Sequence, residues 1–285
     1  MTPGDAPGPG RQERGGAGRS ARRRAAGLVL ALVVVAVAVA GALAARESDG
    51  SSPDGGATGG DASAEGDAGA EGDAGGDDRL DVAIVGDSLI EQSRDQFVAH
   101  AGRQGLTVET AAFGGSAPCD WMAAFRGFAD APPAVLIVSF AGNDSTPCIN
   151  PGGGPPRDPQ TIADAYAEDL PEILDLFAGT RTALYVVVPP PVGEPASEPA
   201  AAAIRAMYRD LVADRPEVTL VDPAPALGPD GRFHRTLPCE DWEADACGAD
   251  GTVELRRDDG IHLTPAGGER YARVLLDAIG HPLGG

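Results

Sequence analysis

The chain has 285 residues, of which 42% are hydrophobic and 5% aromatic, and its formal net charge is −21 at pH 7. All 22 basic residues are arginines, and they are outnumbered by 43 acidic residues. A protein this acidic is repelled by a phosphate backbone, which argues against nucleic-acid binding. Its 40 glycines and 25 prolines also exclude a wholly helical protein.

The first 45 residues predict a cytoplasmic tail followed by a membrane-spanning helix. Residues 1–24 carry six arginines and should be disordered, whereas residues 25–45 are 21 consecutive uncharged, almost entirely apolar positions. A helix of that length is roughly 31 Å long, about the thickness of the hydrocarbon core of a bilayer. The basic cluster before it favours a cytoplasmic N-terminus, so we expect a single-pass protein of the cell membrane. Alternatively, this segment is a long signal peptide cleaved near residues 42–44, which would release a secreted protein.

The next segment, residues 46–78, predicts an acidic linker. It contains ten acidic residues and one arginine among glycine, alanine and serine. Such a stretch has no large apolar side chain to bury, so it should remain a flexible tether. The remaining residues, 79–285, are numerous enough to enclose a sizeable core and form the predicted catalytic domain, which we expect outside the cytoplasm.

Within this domain, short apolar runs alternate with longer amphipathic ones. The predicted strands are residues 81–85, 106–111, 134–140, 182–188 and 218–222. The predicted helices are residues 88–103, about 120–128, 161–178, 195–213 and 265 to about 279. Strands alternating with helices predict an α/β fold with three α/β/α layers around a mostly parallel five-stranded sheet. In such sheets the ligand crevice lies at the carboxyl ends of the strands.

Polar clusters lie at that edge of the predicted sheet. Three of them follow strands, at residues 86–89, 113–116 and 141–144, and a fourth, residues 258–262, precedes the last helix. Because the carboxyl ends of parallel strands meet at one edge, these clusters are expected to converge on a single site.

The residues in these clusters predict a serine nucleophile. Ser88 lies at a tight turn between a strand and a helix, and a serine hydroxyl needs a neighbouring base such as His262. Asp259, three residues before the histidine, can hold the Nδ1–H of the ring, and the adjacent Asp258 competes for the same role. The N–H groups of Ser88 and Gly115 and the side-chain amide of Asn143 are the predicted oxyanion hole.

The four clusters, in this order, resemble the conserved blocks of the SGNH hydrolases, also called the GDSL esterase/lipase superfamily. The Ser, Gly, Asn and His of that family correspond to Ser88, Gly115, Asn143 and His262. The resemblance covers nearly all of residues 81–280. It implies a flavodoxin-like fold and a Ser-His-Asp triad completed by Asp259.

One position departs from the family pattern, and at another the correspondence with the family is undecided. Ala141 stands where the third block of the family has its first glycine. Gly114 and Gly115 are adjacent, so either can be the glycine whose N–H contributes to the oxyanion hole, and Gly115 is favoured.

The resemblance implies a serine esterase or lipase that cleaves a carboxylic ester, the acyl or acetyl ester of a lipid or glycan, through an acyl-enzyme. It implies no metal and no organic cofactor. Two alternatives remain: an acyltransferase on cell-envelope glycans that uses the same triad, and a non-catalytic envelope-binding module. The abundance of alanine, glycine and arginine without lysine indicates a GC-rich bacterial genome.

The four cysteines predict two disulfide bonds in an oxidising compartment. Cys239 and Cys247 are close in the sequence and suggest a local staple, which leaves Cys119 to pair with Cys148. The bridge between Cys119 and Cys148 would tie the loop after Gly115 to the loop after Asn143. A zinc site is the rival interpretation, but the chain has no C-x-x-C spacing to support it.

The remaining histidines are predicted to be surface or structural residues. They lack an acidic partner at a useful sequence offset, and they are His100, His234 and His281.

Overall fold

A computed structural model describes residues 80–283 of the chain. The predicted tail (1–24), membrane helix (25–45) and acidic linker (46–78) lie outside these described residues. Within residues 80–283, no helix is both long enough and apolar enough to cross a membrane.

Five parallel strands form the central sheet in the order β2-β1-β3-β4-β5. They are β1 (Val82–Gly86), β2 (Val108–Ala112), β3 (Val135–Ser139), β4 (Ala183–Val187) and β5 (Val218–Val221). The helices are α1 (Ser88–Arg103), α2 (Met122–Asp130), α3 (Pro159–Asp175), α4 (Glu198–Ala213), α5 (Ala224–Leu227) and α6 (Pro265–Ala278). This strand order is that of the flavodoxin-like doubly wound fold. The predicted α/β class and parallel five-stranded sheet are therefore confirmed.

The core lies on both faces of the sheet. One apolar cluster joins the sheet to α2, α3 and α4, and a second joins it to α1, α5 and α6. Strand β1 shows why its sequence is continuously apolar: Ala83 and Val85 belong to the first cluster, and Val82 and Ile84 belong to the second. All five residues of β1 are buried, as expected for the centre of a parallel sheet.

Two helices begin at other residues than the sequence pattern predicted. Helix α3 begins at Pro159 because the side chain of Asp158 caps it, accepting a hydrogen bond from the Thr161 N–H at 3.0 Å. Helix α4 begins at Glu198, three residues later than predicted.

A small antiparallel hairpin was not predicted at all. It pairs β6 (Thr236–Pro238) with β7 (Thr252–Glu254). Strands of three residues are too short to produce a recognisable alternation of apolar and polar positions.

Candidate functional site

Ser88 is the first residue of α1, at the carboxyl end of strand β1, which lies in the sheet between β2 and β3. The turn before it requires glycine, because a Cβ at Gly86 would lie 2.6 Å from the carbonyl oxygen of Ser139. Asp87 caps the helix, and its Oδ1 accepts a hydrogen bond from the Leu89 N–H at 3.1 Å. Ser88 is therefore at the positive end of the helix dipole, a favourable position for developing negative charge.

His262 is held by Asp259, as the sequence predicted for the two residues. Its Nδ1 lies 2.8 Å from Asp259 Oδ2, while Asp259 Oδ1 accepts hydrogen bonds from the N–H groups of Ile261 and His262. Burial acts to raise the pKa of Asp259, but these hydrogen bonds outweigh it and lower the pKa to about 2. The carboxylate is then ionised at neutral pH and can only accept, so the ring proton lies on Nδ1 and Nε2 is free to take a proton.

The loop that carries His262, residues 256–264, is tied down at several points. Arg256 is fully buried and donates from Nη1 to the carbonyl oxygen of Ile261 at 2.7 Å. The N–H of Gly193, in the connection after β4, donates to the carbonyl oxygen of Gly260 at 2.7 Å. Gly260 has a φ of +69° and lies directly against Gly193, so a side chain there would collide with backbone.

His262 lies at the same edge of the sheet as Ser88. The ring is close enough to Asp87, the residue before Ser88, to act on the pKa of that carboxyl group. Within the described part of the chain, no hydrogen bond joins Ser88 Oγ to the ring of His262, whose partner is Asp259. Such bonds are often long in substrate-free enzymes and tighten when substrate binds.

Asn143, the predicted oxyanion donor, lies in the loop after β3. Its Nδ2 donates to Asp87 Oδ2 at 3.0 Å and to the carbonyl oxygen of Ser116 at 3.1 Å. Both amide hydrogens are thus engaged. The preceding Gly142 has a φ of +103° and packs against Ile204, which explains a glycine at that position.

The 113–116 turn brings two glycines to the site, and their surroundings differ. A Cβ built on Gly114 would lie 3.6 Å from the Cβ of Ser88, whereas one on Gly115 would lie 3.6 Å from Ser145 Oγ. Gly114 therefore packs against the serine, and Gly115 faces the loop that follows Asn143. Gly115 has a φ of +80°, a backbone conformation that glycine adopts in tight turns and that other residues rarely adopt.

Asp87 is the residue that the sequence analysis left without a role. It is completely buried, and its Oδ2 accepts hydrogen bonds from the Ala141 N–H at 2.7 Å and from Asn143. Burial raises the pKa of Asp87 to about 6, although hydrogen bonds from Ala141 and Leu89 act in the opposite direction. Its position before a helix was a recognisable capping signal, but the contact with Asn143 spans 56 residues and has no sequence signature.

Both predicted disulfide bonds are present. They join Cys119 to Cys148 and Cys239 to Cys247. The first links the segment after the 113–116 turn to the loop after Asn143, as expected. Asp120 reinforces this link, because its carboxylate accepts from the Ala117 N–H at 2.9 Å and from Thr146 Oγ1 at 2.6 Å.

The prediction that the other histidines lack an acidic partner at a useful sequence offset was wrong for His234, whose partner is four residues away, and His100 has a partner that is distant in the sequence. His100 Nε2 lies 2.7 Å from Glu269 Oε1, and His234 Nε2 lies 2.7 Å from Asp230 Oδ1. Glu269 is 169 residues away in the sequence and reaches His100 only because α1 packs against α6. His100 is twelve residues after Ser88 on α1, about 18 Å along the helix, so this pair is separate from the site.

A family model described as "Protein of unknown function (DUF459)" matches residues 81–278, which is most of the described chain. The chain belongs to the DUF459 family. A search of curated protein sequences found no match for this DUF459 protein.

Several solved structures resemble this chain at low sequence identity. An acetyl xylan esterase from Geobacillus stearothermophilus is 14% identical with a TM-score of 0.50, over 72% of this chain and 97% of that chain. A GDSL-like lipase from Bacteroides thetaiotaomicron is 13% identical with a TM-score of 0.46, over 70% and 88%. The C-terminal catalytic domain of peptidoglycan O-acetyltransferase A from Streptococcus pneumoniae is 14% identical with a TM-score of 0.43, over 71% and 93%. The flavodoxin-like fold that the resemblance implied is thus the fold of this DUF459 protein, and the acetyl xylan esterase shares it.

Proposed function

We propose that this protein is a serine esterase that hydrolyses a carboxylic ester through an acyl-enzyme. The observation that carries the proposal is the 2.8 Å contact between His262 Nδ1 and an ionised Asp259, at the sheet edge where Ser88 begins α1. This contact leaves Nε2 as the free acceptor that a serine nucleophile needs.

In the first half of the reaction, Ser88 Oγ attacks the ester carbonyl carbon while Nε2 of His262 takes the hydroxyl proton. The resulting imidazolium is stabilised by Asp259 and then gives its proton to the departing alcohol. In the second half, His262 takes a proton from water, the hydroxide attacks the acyl carbon, and the proton returns to Ser88 Oγ as the carboxylic acid leaves. No metal or organic cofactor takes part in this proposal.

The oxyanion would be stabilised by the N–H groups of Ser88 and Gly115 and by the amide of Asn143. Because both amide hydrogens of Asn143 are engaged, one bond must be exchanged when the oxyanion forms. We assign the exchange to the bond with the Ser116 carbonyl, since the bond to the Asp87 carboxylate is charge-assisted and therefore the stronger one.

The substrate proposed is the acyl or acetyl ester of a lipid or glycan outside the cytoplasm, with the enzyme held at the membrane by residues 25–45. Phe113 supports an apolar contact with the substrate, because its side chain is 66% exposed in the turn that brings Gly114 to Ser88. An exposed aromatic ring at this position can cover the apolar part of an acyl group or the face of a sugar ring.

Labelling with a fluorophosphonate tests the proposal without a choice of ester. We expect stoichiometric labelling that peptide mapping assigns to Ser88. Replacing His262 by alanine should lower the labelling rate at least about 1,000-fold, because the base is lost.

A matched control is available in His234, which also pairs with a carboxylate; among the described residues its side chain is hydrogen-bonded to Asp230 and to no proposed site residue. The variant His234→Ala should be labelled at the wild-type rate. A folded wild-type protein that takes up no label would contradict the proposal and favour the non-catalytic module.

A further inference from the structure

Gln92 connects the helix that carries Ser88 to the loop that carries His262. Its Oε1 accepts a hydrogen bond from the N–H of Leu263 at 2.7 Å. Gln92 is four residues after Ser88 on α1, so the two side chains lie on the same face of the helix, one turn apart. Leu263 directly follows His262, so this bond holds the peptide group between the two residues.

The other bonds of the 256–264 loop do not reach α1. Arg256 Nη1 and the Arg257 N–H donate to carbonyl groups within the loop. Arg256 Nη2 donates to the Pro191 carbonyl, and the Gly193 N–H donates to the Gly260 carbonyl, so both of these bonds tie the loop to the connection after β4. These bonds fix the shape of the loop and its position against the sheet. Within residues 80–283, the bond from Leu263 to Gln92 is the single hydrogen bond between this loop and α1.

Packing of α1 against α6 fixes the position from which Gln92 reaches the loop. The two helices approach so closely that a Cβ on Gly268 would lie 2.8 Å from the carbonyl oxygen of Gln92. Gln92 itself is half-buried, and Leu263 is completely buried. A hydrogen bond in this partly water-excluded position constrains geometry more than one on an open surface.

We propose that Gln92 is a positioning residue that sets the distance and orientation of the His262 ring relative to Ser88 Oγ. The inference rests on the proposed function, because it assigns Gln92 a role in the same Ser-His-Asp chemistry. Small displacements between nucleophile and base are costly: a misplacement of about 1 Å can lower a rate about 100-fold.

The test uses the full-length protein in detergent and three substitutions of Gln92. Gln92→Met keeps the length of the side chain and removes the acceptor, and Gln92→Asn keeps the amide but withdraws it by about 1.5 Å. Gln92→Glu keeps an acceptor oxygen at the same reach. The matched control is Gln96→Met, because Gln96 also links α1 to the start of α6, through the carbonyl oxygen of Pro265 at 3.4 Å.

Two rates are measured: fluorophosphonate labelling of Ser88, and hydrolysis of p-nitrophenyl acetate with kcat and KM determined separately. We expect Gln92→Met and Gln92→Asn to lower the labelling rate and kcat by about 10- to 100-fold with little change in KM. Gln92→Glu should stay within about threefold of wild type, and Gln96→Met should equal wild type.

Each outcome is decisive for one of the two proposals. A folded Gln92→Met or Gln92→Asn protein with wild-type rates would overturn the role of Gln92, and so would an equal loss in Gln96→Met. If Gln92→Met fails to fold, a lowered kcat in Gln92→Asn with rescue in Gln92→Glu supports the role. Wild-type protein that is neither labelled nor active would instead contradict the proposed function.

Discussion

Asp87 lies completely buried beside three backbone or amide N–H donors, and burial raises its pKa to about 6 from an ordinary value of 3.8. In the window from about pH 4 to pH 6, the native state retains a proton that the unfolded chain has released. Protein stability therefore falls as pH rises through this window, opposite in sign to the effect of a carboxyl group whose pKa is lowered.

This sign gives a prediction for Asp87→Asn. Asp87 should lower the free energy of unfolding of the wild type by about 2 kcal/mol between pH 4.5 and pH 7, and Asp87→Asn should lack this contribution. Urea unfolding at both pH values measures it. Asp259 does not interfere, because its pKa of about 2 places the loss of its stabilisation below this window. If the free energy of unfolding depended on pH equally in the wild type and in Asp87→Asn, the pKa of Asp87 would not be raised by burial in the native protein.

At the scale of elements, the two disulfide bonds close loops of different length. The sequence separation is 29 residues for Cys119 and Cys148 and 8 residues for Cys239 and Cys247. Loop entropy then predicts stabilisation of roughly 3.5 kcal/mol for the first bond and roughly 2.5 kcal/mol for the second. Only the first joins segments that carry proposed oxyanion donors.

We therefore predict different effects on labelling for the two serine double variants. Replacing Cys119 and Cys148 should lower the free energy of unfolding by the larger amount and also slow fluorophosphonate labelling of Ser88, because the loops of Gly115 and Asn143 are no longer tied. Replacing Cys239 and Cys247 should lower stability and leave the labelling rate unchanged. Denaturant unfolding and labelling at 25 °C measure both. Equal labelling rates in the two variants would show that the bond between Cys119 and Cys148 does not hold the loops of Gly115 and Asn143 in the arrangement that the reaction needs.

At the scale of the whole molecule, it remains a prediction that the apolar residues 25–45 anchor the protein in the membrane and place the domain outside the cytoplasm. We expect the full chain to stay in the membrane fraction after alkaline carbonate washing, because about 20 apolar residues span the bilayer. A variant without residues 25–45 should be released. The intact mass of the purified protein distinguishes the alternatives. A chain that has lost its N-terminal residues and begins at about residue 45 would show that the segment is a cleaved signal peptide and not an anchor.

The sequence alone was sufficient for the order of the five strands of the central sheet and of five of the six α-helices, since the continuous apolar runs of β1 and β3 and the start of α6 at Pro265 depend on local pattern. It also identified the pair His262 and Asp259, because their spacing of three residues lets one tight loop bring the side chains together. Both disulfide pairings followed from the sequence spacing of the cysteines.

The tertiary structure decided the contacts that join distant segments. Asp87 meets Asn143 across 56 residues, and Gln92 meets Leu263 across 171 residues. Neither pair has a periodicity or motif, because the distance between its members is set by how β1 pairs with β3 and how α1 packs against α6, and not by the chain between them. The same cause placed Glu269 beside His100, a contact that no sequence offset predicts. Hydrophobic pattern fixes which elements form, whereas the polar contacts between them exist only after the elements have packed.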